Sequence, residues 1–326
     1  MSYYPTIAIV GCGAIVETFY LPSFHKLGYA KNKIILVDTN NDRLHKLGDK
    51  FELKKMTIDY RKILNKVDGV IITTPSYLHF EQTIQFLKNG VYVLSEKPLV
   101  TSFSQYKKIL NLEEKSGYKI LINHTKRLFP VSIEIKNKIN SGVIGKPLGF
   151  DYSEGGQFTW PTASGFYFQW DKGVLIDRGS HAVDLVCWWL GKPKSISYID
   201  DSFGGSEAVA LLNFKINSCK GRIKFNLFNK LSNKYYIKGA KGEISGDIYD
   251  FTSFLLTNYS DKSTVKITLP TKQKTYFDFA DILIRNFIDM ISNHADPLIS
   301  VSDIKDSVET IDYCYRHRQR FNMPWF

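Results

Sequence analysis

Residues 6–19 read TIAIVGCGAIVETF, an apolar run that leads through Gly-Cys-Gly into a helical pattern. An apolar strand, a Gly-x-Gly turn and a helix together predict a tight turn at Gly11 and close backbone approach to a phosphate at Gly13. The start of the helix then supplies amide donors and a favourable dipole to that phosphate. The third position of this fingerprint, usually glycine for close helix packing, is Val16.

A second feature supports the glycine turn as part of a nucleotide site. The next apolar run ends at Asp38, 25 residues past Gly13, where a carboxylate can accept hydrogen bonds from ribose hydroxyls. The two features predict dinucleotide binding, against the alternative of a capped turn and a surface aspartate. A carboxylate at Asp38 would repel a 2′-phosphate, which favours NAD, while Arg43 five residues on keeps NADP possible.

The first third of the chain alternates short apolar runs with helical patterns, which is typical of a parallel sheet covered by helices on both faces. Helical spacing predicts helices at 80–88, ended by Gly90, and at 102–116, where Ser102 and Gln105 are spaced as a capping box. The predicted strands are 6–10, 34–37, 69–73, 91–95 and 118–122.

The pattern changes after about residue 124. One helix is predicted at 131–140, and period-two runs between about 195 and 270 predict an antiparallel sheet with one covered face. Asp177 and His181 lie at the start of a further helical stretch that ends at Gly191. Helices at about 278–293 and 303–318 close the chain.

Composition indicates an ordinary two-domain globular protein of 326 residues. The net charge of +11 is spread along the chain and comes mainly from lysine, since only nine of the 43 basic residues are arginine. This pattern, without a basic stripe, argues against nucleic-acid binding. No apolar stretch approaches membrane-spanning length, no basic leader precedes the first strand, and four scattered cysteines give no disulfide framework, so we expect a cytoplasmic protein without membrane attachment.

Two later stretches complete a family pattern. Residues 96–98 read Glu-Lys-Pro after a predicted strand, and Asp177, Gly179, His181 and Asp184 lie in DKGVLIDRGSHAVDLVCWWLGKP. With the N-terminal Gly-Cys-Gly, these motifs closely resemble the glucose-fructose oxidoreductase / inositol dehydrogenase / MocA family of nicotinamide-dependent oxidoreductases. The similarity extends along the chain to NSGVIGKP near 140–147 and ADPLISVSDIKDSVETI near 295–311.

The resemblance implies an α/β fold. An N-terminal Rossmann domain with a parallel sheet is expected over 1–123, and a C-terminal α+β domain with a large open, mainly antiparallel sheet over 124–326. The second domain would bind substrate on one side of its sheet and form a homodimer or homotetramer through the other. The last helix would be able to pack back on the Rossmann domain.

The resemblance also assigns Lys97, Asp177 and His181 as the catalytic residues. Oxidation of a secondary alcohol needs a base near the hydroxyl and a cation to stabilise developing alkoxide charge. Lys97 is suited to the cation and His181 to the proton, because histidine titrates nearest to neutrality. Asp177, four residues before His181 on one helix face, is suited to orienting the imidazole or binding a substrate hydroxyl.

The expected cofactor contacts lie at strand ends and in the loops that follow them. A metal centre built from His79, His124, His181 and Asp177 has no ligand spacing in its favour, and no metal is expected. The full set of expected cofactor-binding residues is Gly11, Cys12, Gly13, Ala14, Ile15, Asp38, Thr39, Arg43, Thr73, Thr74, Pro75, His79, Glu96, Lys97 and Asn123.

The motif has departures that bear on the substrate. Asp171-Lys172-Gly173 stands where family members often have successive glycines, and Arg178 fills the spacer beside Asp177. The aromatic stretch 153–170 suits either stacking on a sugar ring or sheet and loop core.

These residues predict an NAD(P)-dependent dehydrogenase or reductase that interconverts a secondary alcohol and a ketone on a sugar, polyol or nucleotide-linked sugar. One alternative is a glycoside-cleaving enzyme that uses bound NAD in transient oxidation and re-reduction. Another is a dinucleotide-sensing regulator without catalysis. Substrate identity, reaction direction and subunit number are not encoded in these motifs, since loops and the open sheet face carry specificity.

Overall fold

The computed structural model describes residues 4–157, 172–202 and 205–321. The described residues form two compact units, one from 4–123 and 273–305, and one from 124–157, 172–202, 205–272 and 306–321. The proposed domain boundaries at 1–123 and 124–326 remain a prediction. Most of the aromatic stretch 153–170, and Asp171 with it, lies outside the described residues.

The first unit contains a six-stranded sheet in which every pair of strands is parallel. Its order is β3-β2-β1-β4-β5-β6, the Rossmann arrangement that the alternating pattern predicted. Four strands are buried throughout because helices cover both faces, which explains their continuous apolar runs. The strands are β1 Ile7–Val10, β2 Ile34–Val37, β3 Met56–Thr57, β4 Gly69–Ile72, β5 Tyr92–Ser95 and β6 Ile120–Ile122.

Four α-helices accompany these strands: α1 Leu21–Lys26, α2 Asn41–Phe51, α3 Ser76–Lys88 and α4 Phe103–Ser116. A π-helical segment, Val16–Tyr20, precedes α1. Ser102 caps α4 as predicted by accepting from the Gln105 amide at 3.3 Å. The predicted reciprocal half of the capping box is wrong, because the Gln105 side chain accepts from the Thr101 amide at 3.0 Å.

Glu113 at the end of α4 makes stability depend on pH. Its Oε1 accepts from the Ile120 amide at 2.8 Å, and burial raises the pKa of this carboxyl to about 7. The folded state therefore binds the proton more tightly than the unfolded state, and stability falls as pH rises from about 4.5 to about 7.

We expect Glu113→Gln to stabilise the protein by about 1–2 kcal/mol at pH 8 and to leave stability at pH 4.5 nearly unchanged, after allowance for partial exposure. Urea unfolding at both pH values would measure this difference. The exposed neighbour Glu114 provides the control, since Glu114→Gln should have little effect at either pH. An equal gain for Glu113→Gln at both pH values would contradict the assignment.

The second unit is built on a nine-stranded sheet of order β14-β13-β12-β11-β7-β10-β9-β8-β15. Pairing is antiparallel except between β7 and β10 and between β8 and β15, so the sheet is mainly antiparallel as predicted. Its strands are β7 Pro147–Gly155, β8 Lys194–Asp200, β9 Val209–Ile216, β10 Cys219–Asn226, β11 Lys234–Gly239, β12 Gly242–Asp247, β13 Ser253–Asn258, β14 Thr264–Thr268 and β15 Gln319–Arg320.

One face of this sheet is covered by α5, Pro130–Asn140, and α6, Val174–Leu190. Buried and exposed residues alternate along β10 and β11, as the period-two pattern predicted. Gly179 lies where α6 meets β10, and a Cβ there would meet Leu175 Cδ1 at 2.7 Å and Phe225 Cε2 at 3.3 Å. The glycine of Asp-x-Gly-x-His therefore permits close packing of α6 on the sheet.

Two helices end the chain, α7 Ala280–Asn293 and α8 Lys305–Arg316. In the first unit, α7 packs against β4 at Gly69, where a Cβ would meet Phe287 Cζ at 2.9 Å. In the second unit, α8 buries Ile311 and Cys314.

Among the helices in 4–157, 172–202 and 205–321, none is long and apolar enough to cross a bilayer. The same residues contain no group of three or more His, Cys, Asp or Glu side chains placed to hold a metal ion.

Candidate active site

The predicted cofactor residues of the first unit collect at the carboxyl edge of its parallel sheet. Gly11, Asp38, Thr73, Glu96 and Asn123 each follow directly on a different strand. The strand order reverses between β1 and β4, and the carboxyl edge at such a reversal is where open α/β sheets bind ligands. The fold thus brings residues from positions 11 to 123 to one place.

The two glycines of the first turn have different surroundings. Gly11 has φ +96, and a Cβ on it would lie 2.8 Å from Thr73 C and Thr74 N. Gly13 begins the helical turn, since its carbonyl accepts from the Val16 amide at 3.1 Å, and a Cβ on it would meet nothing within 4 Å. Gly11 is therefore required by the fold, whereas Gly13 leaves room for a ligand beside the helix start at Ala14 and Ile15.

Asp38 joins the glycine turn to the second strand. Its Oδ2 accepts from the Cys12 amide at 2.6 Å, and its Oδ1 accepts from the Asn40 amide at 2.8 Å. Each carboxylate oxygen keeps further acceptor capacity for ribose hydroxyls. Thr39 is exposed beside it, and the Arg43 amide is capped by Asn40 at 3.1 Å.

Cys12 faces inward from the same turn. Its thiol donates to the Val37 carbonyl at 3.7 Å, and burial, followed by Asp38, raises its pKa to about 12. The thiol therefore stays protonated at neutral pH. Because the Cys12 amide is also bonded to Asp38, the residue stabilises the turn, and its predicted cofactor contact remains a prediction.

Thr73, Thr74 and His79 form a bonded loop after β4. Thr73 Oγ1 donates to the Gly11 carbonyl at 2.5 Å, and Thr74 Oγ1 donates to Gln82 Oε1 at 2.7 Å. The buried His79 ring lies between the Pro98 carbonyl at 2.8 Å and the Thr74 carbonyl at 2.7 Å. Burial lowers the pKa of His79 while the two carbonyls oppose the shift, and the ring links the loop at Pro75 to the one at Pro98.

Glu96 is held by two side chains from other elements. Its Oε1 accepts from Tyr20 Oη at 2.8 Å and from Asn123 Nδ2 at 2.7 Å. Burial raises the pKa of Glu96, and these two hydrogen bonds oppose the shift. The adjoining Lys97, joined to Pro98 by a cis peptide bond, is partly buried at the same sheet edge.

In the second unit, α6 presents Asp177, Arg178 and His181 on its partly exposed side, while Val174, Leu175 and Ile176 in the same turns are buried. The Asp177 carbonyl accepts from Ser180 Oγ at 2.8 Å. The helix begins at Val174, so Asp177 lies in its first turn and His181 one turn further on. The spacing places both side chains on one face, as predicted.

A buried ion pair joins α6 to the segment that follows β6. Arg127 donates through Nε and Nη2 to both oxygens of Asp184, each at 2.7 Å. His124 Nδ1 lies 3.5 Å from Asp184 Oδ2, and its ring packs edge-on against His181 with centroids 5.8 Å apart. The bidentate pair fixes the segment after β6 against α6, and His124 carries this support to His181.

The first turn of α6 is capped by a residue from a distant part of the chain. Glu207, fully buried, accepts from the Gly173 and Leu175 amides, each at 2.9 Å. Its carboxylate also accepts from Tyr315 Oη at 2.7 Å and Arg318 Nη2 at 2.9 Å. A carboxylate at a helix N-terminus satisfies the first amides and opposes the dipole, so Glu207 stabilises the start of the helix that carries Asp177.

We expect Glu207→Ala to lower the free energy of unfolding by about 2–4 kcal/mol, because it removes the buried acceptor of the two helix amides and one of the two buried carboxylates that Arg318 contacts, the other being Asp200 at 2.7 Å. Urea unfolding at pH 7 would measure the loss. Glu309→Ala is the matched control, since Glu309 makes a partly exposed ion pair with Lys192 at 2.7 Å and should cost less than about 1 kcal/mol. Equal losses for the two variants would contradict the capping role.

Several supporting residues were not among those predicted. They are Tyr20, Arg127, Asp184 and Glu207. The hydrogen bond from Tyr20 to Glu96 spans 76 residues of sequence, and the pair of Arg127 and Asp184 spans 57. The partners of Glu207 lie 32 to 111 residues away in sequence. Only Asp184 had a sequence signal, as part of the recognised motif.

Comparison with known families identifies the two domains of the chain. Residues 6–124 match the sequence model of the oxidoreductase family with an NAD-binding Rossmann fold, and residues 133–245 match the GFO/IDH/MocA C-terminal domain. Among relatives, oxidoreductase P35 of Formosa agariphila is 24% identical over 82% of this chain and 88% of its own.

Two further comparisons agree. The scyllo-inositol 2-dehydrogenase (NAD+) of Bacillus subtilis is 28% identical over 51% of this chain and 52% of its own, so the match spans about half of that relative. In fold, the chain is similar to a 3-ketoreductase from Actinomadura kijaniata, solved with NADP and TDP-benzene, with a TM-score of 0.83, 18% identity and coverage of 99% of this chain and 100% of that one. The two family matches span most of both units, and the chain belongs to the Gfo/Idh/MocA family of NAD-binding oxidoreductases.

Proposed function

We propose that the protein interconverts a secondary alcohol and a ketone on a sugar, polyol or nucleotide-linked sugar, with NAD as the hydride carrier. The observation that carries this proposal is the retention of Lys97 beside a held Glu96 in one unit and of Asp177 and His181 on one helix face in the other. The names of the inositol dehydrogenase and the 3-ketoreductase are consistent with this substrate class.

The residues of the first unit fit NAD. Gly13 has open space where a side chain would be, the helix start at Ala14 and Ile15 supplies amides for a pyrophosphate, and Asp38 has acceptor capacity for ribose hydroxyls. The charge of Asp38 opposes a 2′-phosphate and favours NAD over NADP. When bound, NAD accepts or returns the hydride.

Lys97 would stabilise negative charge on the substrate oxygen. An ammonium group is a compact charge with three donors, and a partly buried position strengthens its interaction with an alkoxide. Tyr20 and Asn123 hold the Glu96 side chain by direct hydrogen bonds. Lys97 directly follows this fixed residue, so the backbone at Lys97 is held in place as well. We propose that Glu96 positions Lys97 and does not itself transfer a proton.

His181 would accept the hydroxyl proton in oxidation and return it in reduction. Its ring is packed against His124, which Asp184 and Arg127 hold in place, so its orientation is supported from behind. Asp177 lies one turn earlier on the same face and would stabilise the imidazolium or bind a neighbouring hydroxyl.

The test is a panel of sugars, inositols and nucleotide sugars incubated with NAD, followed by NADH absorbance and product analysis. Formation of one NADH for each ketone supports the dehydrogenase. Cleavage of a glycoside at constant NADH absorbance would instead identify the transient-redox enzyme. Tight NAD binding without turnover of any compound in the panel would favour the sensing alternative.

We also propose a cytoplasmic homodimer or homotetramer assembled through the open face of the nine-stranded sheet. Tyr236, Ser245 and Leu255 are adjacent on neighbouring strands of that face, and Tyr236 and Leu255 are 37% and 42% exposed. Light scattering on the wild type and on a Tyr236→Asp, Leu255→Asp variant tests this assembly. The variant should be monomeric, and an unchanged mass would contradict the use of this face.

A further inference from the structure

The helix that follows the glycine turn begins with a wide turn. Residues Val16–Tyr20 are π-helical, and the Leu21 amide donates to the Val16 carbonyl five residues back. Val16 stands where the dinucleotide fingerprint usually has glycine, so the wide turn begins where the chain departs from that pattern. Single π-helical turns are rare and often occur at functional sites. This one ends at Tyr20, whose side chain is completely buried.

The Tyr20 hydroxyl is bonded within a closed group of three polar side chains. It donates to Glu96 Oε1 at 2.8 Å. Asn123 Nδ2 donates to the same carboxylate oxygen at 2.7 Å and to Tyr20 Oη at 3.2 Å. Burial, followed by the charge of Glu96, raises the pKa of Tyr20 well above its ordinary value, so the phenol keeps the proton that it donates. Tyr20 and Asn123 therefore both donate to Glu96.

The two donors oppose the effect of burial on Glu96. Burial raises the pKa of this carboxyl, whereas the hydrogen bonds from Asn123 and Tyr20 and the charge of Lys97 lower it. Hydrogen bonds to the charged form of a carboxyl favour that form. Removing either donor therefore shifts Glu96 towards its protonated form. Within the described residues, the titratable groups that face Glu96 or its hydrogen-bond partners are Tyr20, His79, Lys97 and Tyr276.

Ionised Glu96 acts on the residue that follows it. A carboxylate beside an ammonium group favours the charged form of both. Lys97 stabilises the substrate oxygen in the function proposed above, and it can do so only as a cation. A proton on Glu96 would remove the negative charge next to Lys97 and disturb the hydrogen bonds at Oε1. Tyr20, which is completely buried, thus has a path to the reaction that leads through Glu96.

We propose that Tyr20 is a positioning residue of the active site, whose hydroxyl holds Glu96 as a fixed carboxylate beside Lys97 and thereby keeps the enzyme active at lower pH. The inference rests on the proposed function and adds to it a residue outside the recognised motifs. The Tyr20 ring packs edge-on against Phe19 with centroids 5.1 Å apart. Tyr20→Phe keeps this packing and removes the donor alone.

The first measurement follows the Glu96 carboxyl directly. The NAD-loaded protein, labelled at the glutamate side-chain carboxyl carbon, is titrated by NMR, and Glu96→Gln identifies the resonance. We expect Tyr20→Phe to raise the midpoint of this titration by about one pH unit, which is a tenfold change in proton affinity. An equal midpoint in Tyr20→Phe and wild type would overturn the inference.

The second measurement is the ratio of kcat/KM in Tyr20→Phe to that in wild type, at saturating NAD and across the same pH range. Above both midpoints Glu96 is ionised in both proteins, so the ratio should stay within about threefold of one. Below both midpoints, a one-unit shift leaves about one tenth as much ionised Glu96 in the variant, and the ratio should fall by a further tenfold. The ratio cancels the titration of His181, which both proteins share. A ratio that is constant with pH is expected of a merely structural residue and would contradict the positioning role.

Tyr29→Phe is the matched control, because it removes another buried phenol hydroxyl from the same unit. Tyr29 Oη donates to the carbonyl of Pro5, which precedes β1, at 2.6 Å. This variant should leave the Glu96 midpoint and the pH dependence of kcat/KM unchanged. Thermal unfolding of both variants at the ends of the pH range verifies that the fold is retained.

The two measurements also separate this inference from the proposed function, since the NMR titration needs no substrate. A raised midpoint without turnover of any compound in the panel supports the hold of Tyr20 on Glu96 and counts only against the dehydrogenase proposal. NADH formation with an unmoved midpoint leaves the dehydrogenase proposal intact and removes Tyr20 from it.

Discussion

Replacing Lys97 with methionine should lower kcat by roughly 10³-fold while changing NAD affinity by less than about threefold. Methionine retains an unbranched apolar stem, so the substitution removes the ammonium group with little change in volume. The loss follows because the cation stabilises charge that develops on the substrate oxygen only during reaction. NADH formation at saturating substrate and calorimetric titration with NAD provide the two measurements.

The control for this variant is Lys88→Met, at the exposed end of α3, which should keep full turnover. A second variant tests how Lys97 is positioned, because Asn123 donates a hydrogen bond to Glu96, the residue before Lys97. Asn123→Ala should weaken turnover less than Lys97→Met, because it removes one of the two described bonds that hold Glu96 Oε1. Full activity of Lys97→Met would remove this residue from the proposed chemistry.

Gly11→Ala should destabilise the protein by about 2–5 kcal/mol and abolish NAD binding. The residue has φ +96, where a side chain is strained, and its Cβ would lie 2.8 Å from the backbone at Thr73 and Thr74. Backbone atoms in a strand-to-loop connection cannot move aside cheaply. Thermal or urea unfolding and NAD titration would measure the two effects.

Gly13→Ala is the matched comparison, because the same methyl group would meet nothing within 4 Å. Its stability should stay within about 1 kcal/mol of wild type. NAD affinity should still fall by roughly tenfold, or about 1.4 kcal/mol, since the added methyl occupies the space that we assign to the pyrophosphate. Equal stability of the two variants would contradict the packing of Gly11, and unchanged affinity in Gly13→Ala would contradict the assigned phosphate site.

Much of the fold was predictable because periodicity within a segment reports its burial. The buried strands at 7–10, 34–37 and 92–95 fall within the predicted runs, and the antiparallel sheet follows from alternation in β10 and β11. Among the elements that were missed, two illustrate the limit of this periodicity. The two-residue strand β3 is too short to show a period, and α2 carries few apolar residues, with Leu44 and Leu47 facing inward.

The site residues were predictable as types at strand ends and in a family motif, but their roles depend on partners far away in sequence. Nothing near Glu207 indicates that it caps a helix beginning 33 residues earlier, and Tyr20 reaches Glu96 across 76 residues. His79 was a candidate for a ribose contact, yet its ring lies between two backbone carbonyls. Such long-range hydrogen bonds leave no periodic trace in the chain.

The carboxylate of Asp38 has a consequence for redesigning coenzyme preference. It supports the glycine turn through the Cys12 amide while its charge opposes a 2′-phosphate, so exchanging it for glycine to admit NADP would also loosen the turn. Asparagine removes the charge but keeps an oxygen that can accept the hydrogen bond from the Cys12 backbone amide. An engineered switch should therefore begin with Asp38→Asn and add new cationic contacts afterwards.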